Sequence, residues 1–261
     1  MVALPPSGIH LGLGLTSLGR VWGISQRSPP TCKEAEIFLE QAVAMGTRIF
    51  DTAPAYGTSE RRLGKFLLKL PAAEFERLTI MTKAGEHWDS ERETPYTDHS
   101  YSALCASIDR SLDLLGRIDV LQIHQATAAV LGESDVYRAI DYARSLGIVG
   151  FGASVKSIDA GIKAIESGFY SSLQFPLNKI SQRLEPLVRK CQDQGLTIVI
   201  NRPFATGALV NPSLHPDAGL EVSAAFIFFR DIIARGIILS GTTNAVHLAA
   251  NLSSFQRTFV T

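Results

Sequence analysis

The sequence predicts an α/β fold of the (β/α)8 TIM-barrel class, in a single domain over residues 1–261. Three observations predict it. Short apolar runs of strand length alternate with stretches of helical period, and the alternation reaches eight units. A doubly wound open sheet is the competing architecture, but its complete Gly-x-Gly-x-x-Gly turn is missing. Gly12-Leu-Gly14-Leu-Thr-Ser has the first two glycines and lacks the third. Finally, ionisable residues (Asp51, Lys83 and His124) close three successive strand-like runs, and a barrel gathers its chemistry at the C-terminal strand ends.

The elements follow in order. Residues 9–16 form a glycine-punctuated apolar run. Thr31 and Glu34 make a capping-box pair ahead of Ala35, Phe38, Leu39, Ala42 and Met45, which share one helical face, and Gly46 stops that helix. A strand over 47–50 ends at Asp51. Leu63, Phe66, Leu67 and Leu70 mark the next helix, and a strand over 78–82 ends at Lys83. Leu104, Ile108, Leu112 and Leu115 mark a helix stopped by Gly116, and a strand over 118–123 ends at His124. The second half predicts helices over 136–146, 158–165, 184–191 and 222–234, and strands over 148–153, 171–175, 196–201 and 237–240. A short final helix follows Asn244. Segments 17–30, 84–98 and 205–219 read as irregular.

Composition narrows the function. Twenty-five basic and 25 acidic residues leave no net charge, so no long-range field gathers nucleic acid or an anionic membrane. The apolar runs at 224–229 and 236–239 are too short to span a bilayer. The N-terminus reads without the basic and apolar regions of a secretion signal. Cys32, Cys105 and Cys191 stand far apart, with neither disulfide nor metal-ligand spacing, and a reducing cytoplasm is the expected setting. No metal site is expected, and the sequence leaves the oligomeric state open.

Tyr56 lies just past Asp51. Neighbouring strands sit about 4.8 Å apart, so Asp51, Tyr56, Lys83 and His124 can meet on one rim. A lysine cation beside a phenol favours the phenolate left when the phenol gives up its proton. Asp51 would keep Lys83 charged and in place, and His124 could donate a hydrogen bond that orients a carbonyl. The set suits carbonyl reduction if something else delivers hydride. No side chain does, so a nicotinamide or flavin is implied.

The motif Asp51-Thr-Ala-Pro-Ala-Tyr56-Gly-Thr-Ser-Glu60, followed by Leu63-Gly64, resembles the aldo-keto reductase family. Gly12-Leu-Gly-Leu, Met81-Thr-Lys83, Ile118 to His124, Gly150-Phe-Gly-Ala-Ser154 and Leu173-Gln174 resemble its later motifs in order. So do Asn201-Arg202-Pro203-Phe204 through Gly207 and Gly241-Thr242-Thr243 through His247 and Asn251. The resemblance implies a catalytic tetrad of Asp51, Tyr56, Lys83 and His124, and NADPH as cofactor with NADH as the alternative. It implies that Ser154 and Gln174 hold the nicotinamide amide. Asn201 to Phe204, Gly207, Leu209, Gly241, Thr242, Thr243, His247 and Asn251 would line the rest of the cofactor site. A helix start near Gly241–Asn244 suits phosphate on physical grounds too.

The chain departs from that pattern in places. Val155 stands where the family has asparagine, Asn201 where an aromatic commonly stacks, Gly241 where some members have lysine, and His247 where an arginine holds the 2′-phosphate. A neutral histidine holds phosphate less firmly than a guanidinium fork. The N-terminal hairpin and the long C-terminal loop of many relatives read as short or absent. A more open pocket, with Trp22, Tyr56, Trp88 and His87 as candidates to line it, is therefore expected for a small-molecule carbonyl substrate. Two other readings compete: a cofactor-binding sensor with vestigial chemistry, and a lyase that uses Lys83 as a Schiff-base nucleophile. Taken singly, Ser154 and Gln174 have a lesser reading as residues that satisfy rim backbone groups, and His247 reads equally well as a helix-surface residue.

Overall fold

The computed structural model describes residues 8–24, 27–211, 213 and 218–259, with 218–220 as backbone alone. The N-terminal segment read for a secretion signal or hairpin lies outside the described residues, as does His215. The strands are β1 (Ile9–Gly14), β2 (Ile49–Asp51), β3 (Thr79–Ala84), β4 (Glu86–Asp89), β5 (Thr94–Thr97), β6 (Val120–Ala126), β7 (Gly150–Val155), β8 (Ser172–Pro176), β9 (Thr197–Asn201) and β10 (Gly236–Ser240). Interleaved with them are helices α1 (Thr16–Gly19), α2 (Cys32–Ala44), α3 (Ser59–Leu67), α4 (Ala72–Phe75) and α5 (Tyr101–Leu115). Then come α6 (Ser134–Ser145), α7 (Ile158–Ser167), α8 (Pro186–Asp193), α9 (Ala218–Ile232) and α10 (Ala245–Phe259).

Eight parallel strands close into a barrel in the order β1-β10-β9-β8-β7-β6-β3-β2, as the (β/α)8 reading expects. Ile49, Met81, Val120, Val199, Ile237 and Leu239 form a packed cluster of their own, separate from the larger core. They come from five strands, as a filled barrel interior requires. The other strand faces and the inward helix stripes build that larger core, including Phe38, Phe50, Leu63, Ile108, Phe226 and Phe229. Full burial of a side chain of this size is worth roughly 1.5–3 kcal/mol over leaving it exposed. The Thr31–Glu34 capping box forms: the Glu34 amide donates to Thr31 Oγ1 at 3.3 Å and the Thr31 amide to Glu34 Oε2 at 2.7 Å. Among the described residues, no helix is long and apolar enough to cross a membrane.

Four details differ from the sequence reading. Residues 84–98 are not irregular, because β4 and β5 pair there as an antiparallel hairpin. Every residue of β5 is exposed, so no apolar alternation marks it. The final helix is not short but runs 15 residues. Its inward face is Leu248, Asn251, Ser254 and Phe255, and the two polar members hide the helical period. The short helices α1 and α4 were also not foreseen. Lys83 and His124 do not terminate their strands: β3 runs on to Ala84 and β6 to Ala126.

Candidate active site

The functional side chains gather where β2, β3, β6 and β7 open into one cleft of about 690 Å³, a size typical of cofactor and ligand sites. Asp51 ends β2 and is 3% exposed, while Lys83, one residue before the end of β3, is fully buried. Lys83 Nζ donates to Asp51 Oδ2 at 2.6 Å and to the Thr52 carbonyl at 3.0 Å. The other Asp51 oxygen, Oδ1, accepts from Gln122 Nε2 at 3.0 Å and from Gln174 Nε2 at 3.2 Å. Burial alone would push the Lys83 ammonium down. The Asp51 carboxylate, with Tyr56 adding to it, more than offsets this and holds Lys83 above its usual value.

Tyr56 ends a 3-10 turn, Pro54–Tyr56, directly after β2. Its ring centroid is 5.0 Å from Lys83 Nζ and 5.9 Å from the His124 ring, edge-on at 83°. The loop after β1 presses against this turn. A Cβ at Gly19 would fall 1.9 Å from the Tyr56 carbonyl oxygen, so any side chain there forces the backbone to shift. The Thr58 amide donates to the Gly19 carbonyl at 3.2 Å and Ser59 Oγ to the Leu15 carbonyl at 3.0 Å, which ties the two loops together.

His124 is aimed by an irregularity in its strand. Gln125 has φ +49°, and the pairing of β6 with β7 shifts register between Ile123 and Ala126. Such bulges turn a side chain out of the regular ladder. His124 is 7% exposed, and burial first, then the charges of Lys83, Lys156 and Arg20, hold its imidazole well below 6.5. It is therefore neutral at pH 7. Its Nδ1 is 3.1 Å from Glu86 Oε2 but off the line a hydrogen bond needs. Gln125 Nε2 donates to the other Glu86 oxygen at 2.7 Å.

Most residues that the resemblance pointed to line this same cleft. Ser154, Asn201, Arg202, Pro203, Phe204 and Gly207 do so from the ends of β7 and β9. Gly241, Thr242 and Thr243 do so from the loop between β10 and α10, His247 from the first turn of α10, and Trp22 from the loop after β1. Others stand back from its wall. Gln174, 1% exposed, is turned onto Asp51, and Leu209 and Asn251 are buried. Trp88 faces Arg20, whose guanidinium carbon is 5.6 Å from its ring. The first turn of α10 carries its own cap: Asn244 Oδ1 accepts from the amides of Val246 at 2.8 Å and His247 at 3.4 Å.

Sequence reasoning missed Gln122, Glu86, Arg20 and Lys156. Gln122 had a signal, as the polar interruption of the apolar run Val120-Leu121-Gln122-Ile123. Glu86 and Arg20 sit in segments that carried no periodic pattern.

The cleft also offers what a nicotinamide would need. Asn201 lines it with a buried Oδ1 that has no hydrogen-bond partner, an acceptor suited to a carboxamide N–H. Ala205, Thr206 and Gly207 have φ of +50°, +59° and +104°, and such left-handed turns shape anion-holding concavities.

Comparison with known proteins gives a consistent picture. The aldo/keto reductase family matches residues 10–225. Pyridoxal 4-dehydrogenase of Microbacterium luteolum is 29% identical over 251 residues, spanning 77% of this chain and 69% of that protein. D-threo-aldose 1-dehydrogenase of a Pseudomonas sp is 28% identical over 250 residues, spanning 81% and 70%. Among solved structures, an aldo-keto reductase of Pseudomonas aeruginosa superposes with a TM-score of 0.79 at 26% identity, covering 98% of this chain and 94% of its own. With the barrel closed and these matches in hand, the chain belongs to the aldo/keto reductase family.

Proposed function

We propose that this protein is a nicotinamide-dependent oxidoreductase that reduces an aldehyde, ketone or sugar carbonyl to the alcohol, or runs the reverse, with NADPH as its cofactor. The observation that carries the reading is the buried Lys83–Asp51 pair set beside Tyr56 and His124 at the cleft floor.

A nicotinamide, when bound, would supply the hydride for the carbonyl carbon. The chain's own residues handle the oxygen. Tyr56 gives its phenolic proton to the oxygen as negative charge develops there. Lys83, held as an ammonium by Asp51, stabilises the phenolate left behind. Gln122 and Gln174 occupy the second Asp51 oxygen, so the carboxylate is fixed from both sides. Neutral His124 contributes a hydrogen-bonding site for the substrate oxygen and no charge. Ser154 and Asn201 would hold the carboxamide, and the turn at Gly207 with the loop at Gly241–Thr243 would hold the diphosphate. The Asn244 cap must yield, or the phosphates must sit outside it.

The lyase reading loses its support. A Schiff-base lysine must be neutral and reachable, whereas Lys83 is charged and fully buried. The test is a titration with NADPH and NADH, followed by a carbonyl panel with the preferred cofactor. Tight cofactor binding with no turnover across the panel would favour a sensor instead.

A further inference from the structure

A chain with no net charge concentrates positive charge at one mouth. Arg20, Arg27, Lys156 and Arg202 line the cleft against two carboxylates, Asp51 and Glu86. Lys83 neutralises Asp51, and Glu86 accepts from Gln125, faces His124 and is the one cleft carboxylate whose charge acts on both Arg20 and Lys156. Among the described residues, none of the four cations forms an ion pair with a carboxylate, and the Arg20 Nε is buried without a hydrogen-bond partner. An arginine that leaves its donors unspent inside a cleft is poised for an acceptor brought by a ligand.

The location of these charges says which ligand. The Arg20 guanidinium carbon lies 5.2 Å from the Trp22 ring, 5.6 Å from Trp88 and 5.7 Å from Tyr56, so three aromatic rings hold it beside the proton donor. Arg202 stands 5.3 Å from the same Trp22 ring. Arg20 and Lys156 also both act on His124, helping to hold its imidazole neutral. Arg20 therefore sits beside both residues that would touch the reacting oxygen, and Lys156 acts on one of them, His124. A cofactor diphosphate is the rival anion. The ring of the proton donor is where the hydride acceptor must lie, and a diphosphate has no place there.

We propose that Arg20 and Lys156, with Arg202 at the rim, form an anion subsite, so that the substrate is a carbonyl compound carrying a carboxylate or phosphate a few bonds from the carbonyl. This inference rests on the reductase reading for its chemistry, but not for its binding claim. A guanidinium fork grips either anion in bidentate fashion, and Trp22 would cover the carbon chain between.

The experiment uses matched pairs: 4-oxobutanoate against its methyl ester, and glyceraldehyde 3-phosphate against glyceraldehyde. The expected result is a kcat/KM at least about tenfold higher for the anion in one pair, which also tells carboxylate from phosphate. R20M should shrink that preference about 10–100-fold, the worth of a charge-assisted hydrogen bond, and R20K should restore part of it. K156M should shrink it as well. Binding is read separately, by Trp fluorescence with 4-hydroxybutanoate against its methyl ester. Tighter binding of the acid, weakened in R20M, supports the subsite even if no carbonyl is turned over, an outcome that would sink only the reductase reading. Equal handling of anion and neutral partner in both assays overturns the proposal. So does an R20M variant that weakens NADPH binding while leaving the preference unchanged, which would assign these cations to the cofactor.

Discussion

Lys83 Nζ stands 2.6 Å from Asp51 Oδ2 with the two side chains 0% and 4% exposed, the one fully buried ion pair among the described residues. Breaking such a pair leaves a charge without compensation, which costs about 3–5 kcal/mol. D51N and K83M should each lose stability of that order in urea denaturation. The double variant should lose less than the sum, because neither charge is then left alone. Additive losses would mean the two residues act independently.

His124 should make stability depend on mild acid. Its folded value is held below the ordinary 6.5, so between the two values the unfolded chain binds a proton that the folded chain refuses. Its contribution is fully present above pH 6.5 and is lost as pH falls toward the folded value. H124Q should flatten that part of a stability-versus-pH curve measured by denaturant titration. An unchanged slope would show that other groups carry it.

Gly19 should govern activity from outside the tetrad. Alanine there would press on the Tyr56 carbonyl oxygen from 1.9 Å, and the backbone must shift. Overpacking of this kind costs about 1–3 kcal/mol, and a displacement near 1 Å at a reacting group can cost about 100-fold in rate. G19A should therefore fold, with lowered kcat and nearly unchanged cofactor affinity. Equal kcat in G19A and the parent would show that Tyr56 tolerates the shift.

Much of this arrangement was legible in the sequence. Strand-end chemistry groups Asp51, Lys83 and His124 in the sequence, because each follows an apolar run of strand length, and Tyr56 joins them just past Asp51. The hairpin of β4 and β5 was not legible. Its outer strand β5 is wholly exposed, and among the described residues Glu86 is the hairpin residue that lines the cleft. Gln174 illustrates a second limit. Its position suggested a role at the cofactor amide, and only three-dimensional packing reveals that its amide nitrogen is on Asp51. Arg20 and Lys156 were hidden for the same reason: spacing along a chain does not show which loop charges face one another.

Glu60 offers a test of buried-carboxylate energetics beside the site. It is 4% exposed, and its Oε1 accepts from Thr82 Oγ1 at 2.6 Å and Ser111 Oγ at 2.8 Å. Burial, the leading cause, pushes its carboxyl above 4.5. The folded chain thus keeps a proton that the unfolded chain gives up, and stability declines as pH rises from 4.5 through the folded value. E60Q should remove that decline. Denaturant titrations at pH 4.5 and 8 would show a smaller pH difference for E60Q than for the parent, and an equal difference would count against the raised carboxyl.

Tyr56 is the proposed proton donor of a nicotinamide-dependent carbonyl reduction. The most direct measurement compares Y56F with the parent in NADPH oxidation against a carbonyl panel, with cofactor affinity read in parallel from Trp fluorescence. Turnover should fall at least about 100-fold, the range of general acid catalysis, with cofactor affinity essentially retained. Full turnover in Y56F would contradict it.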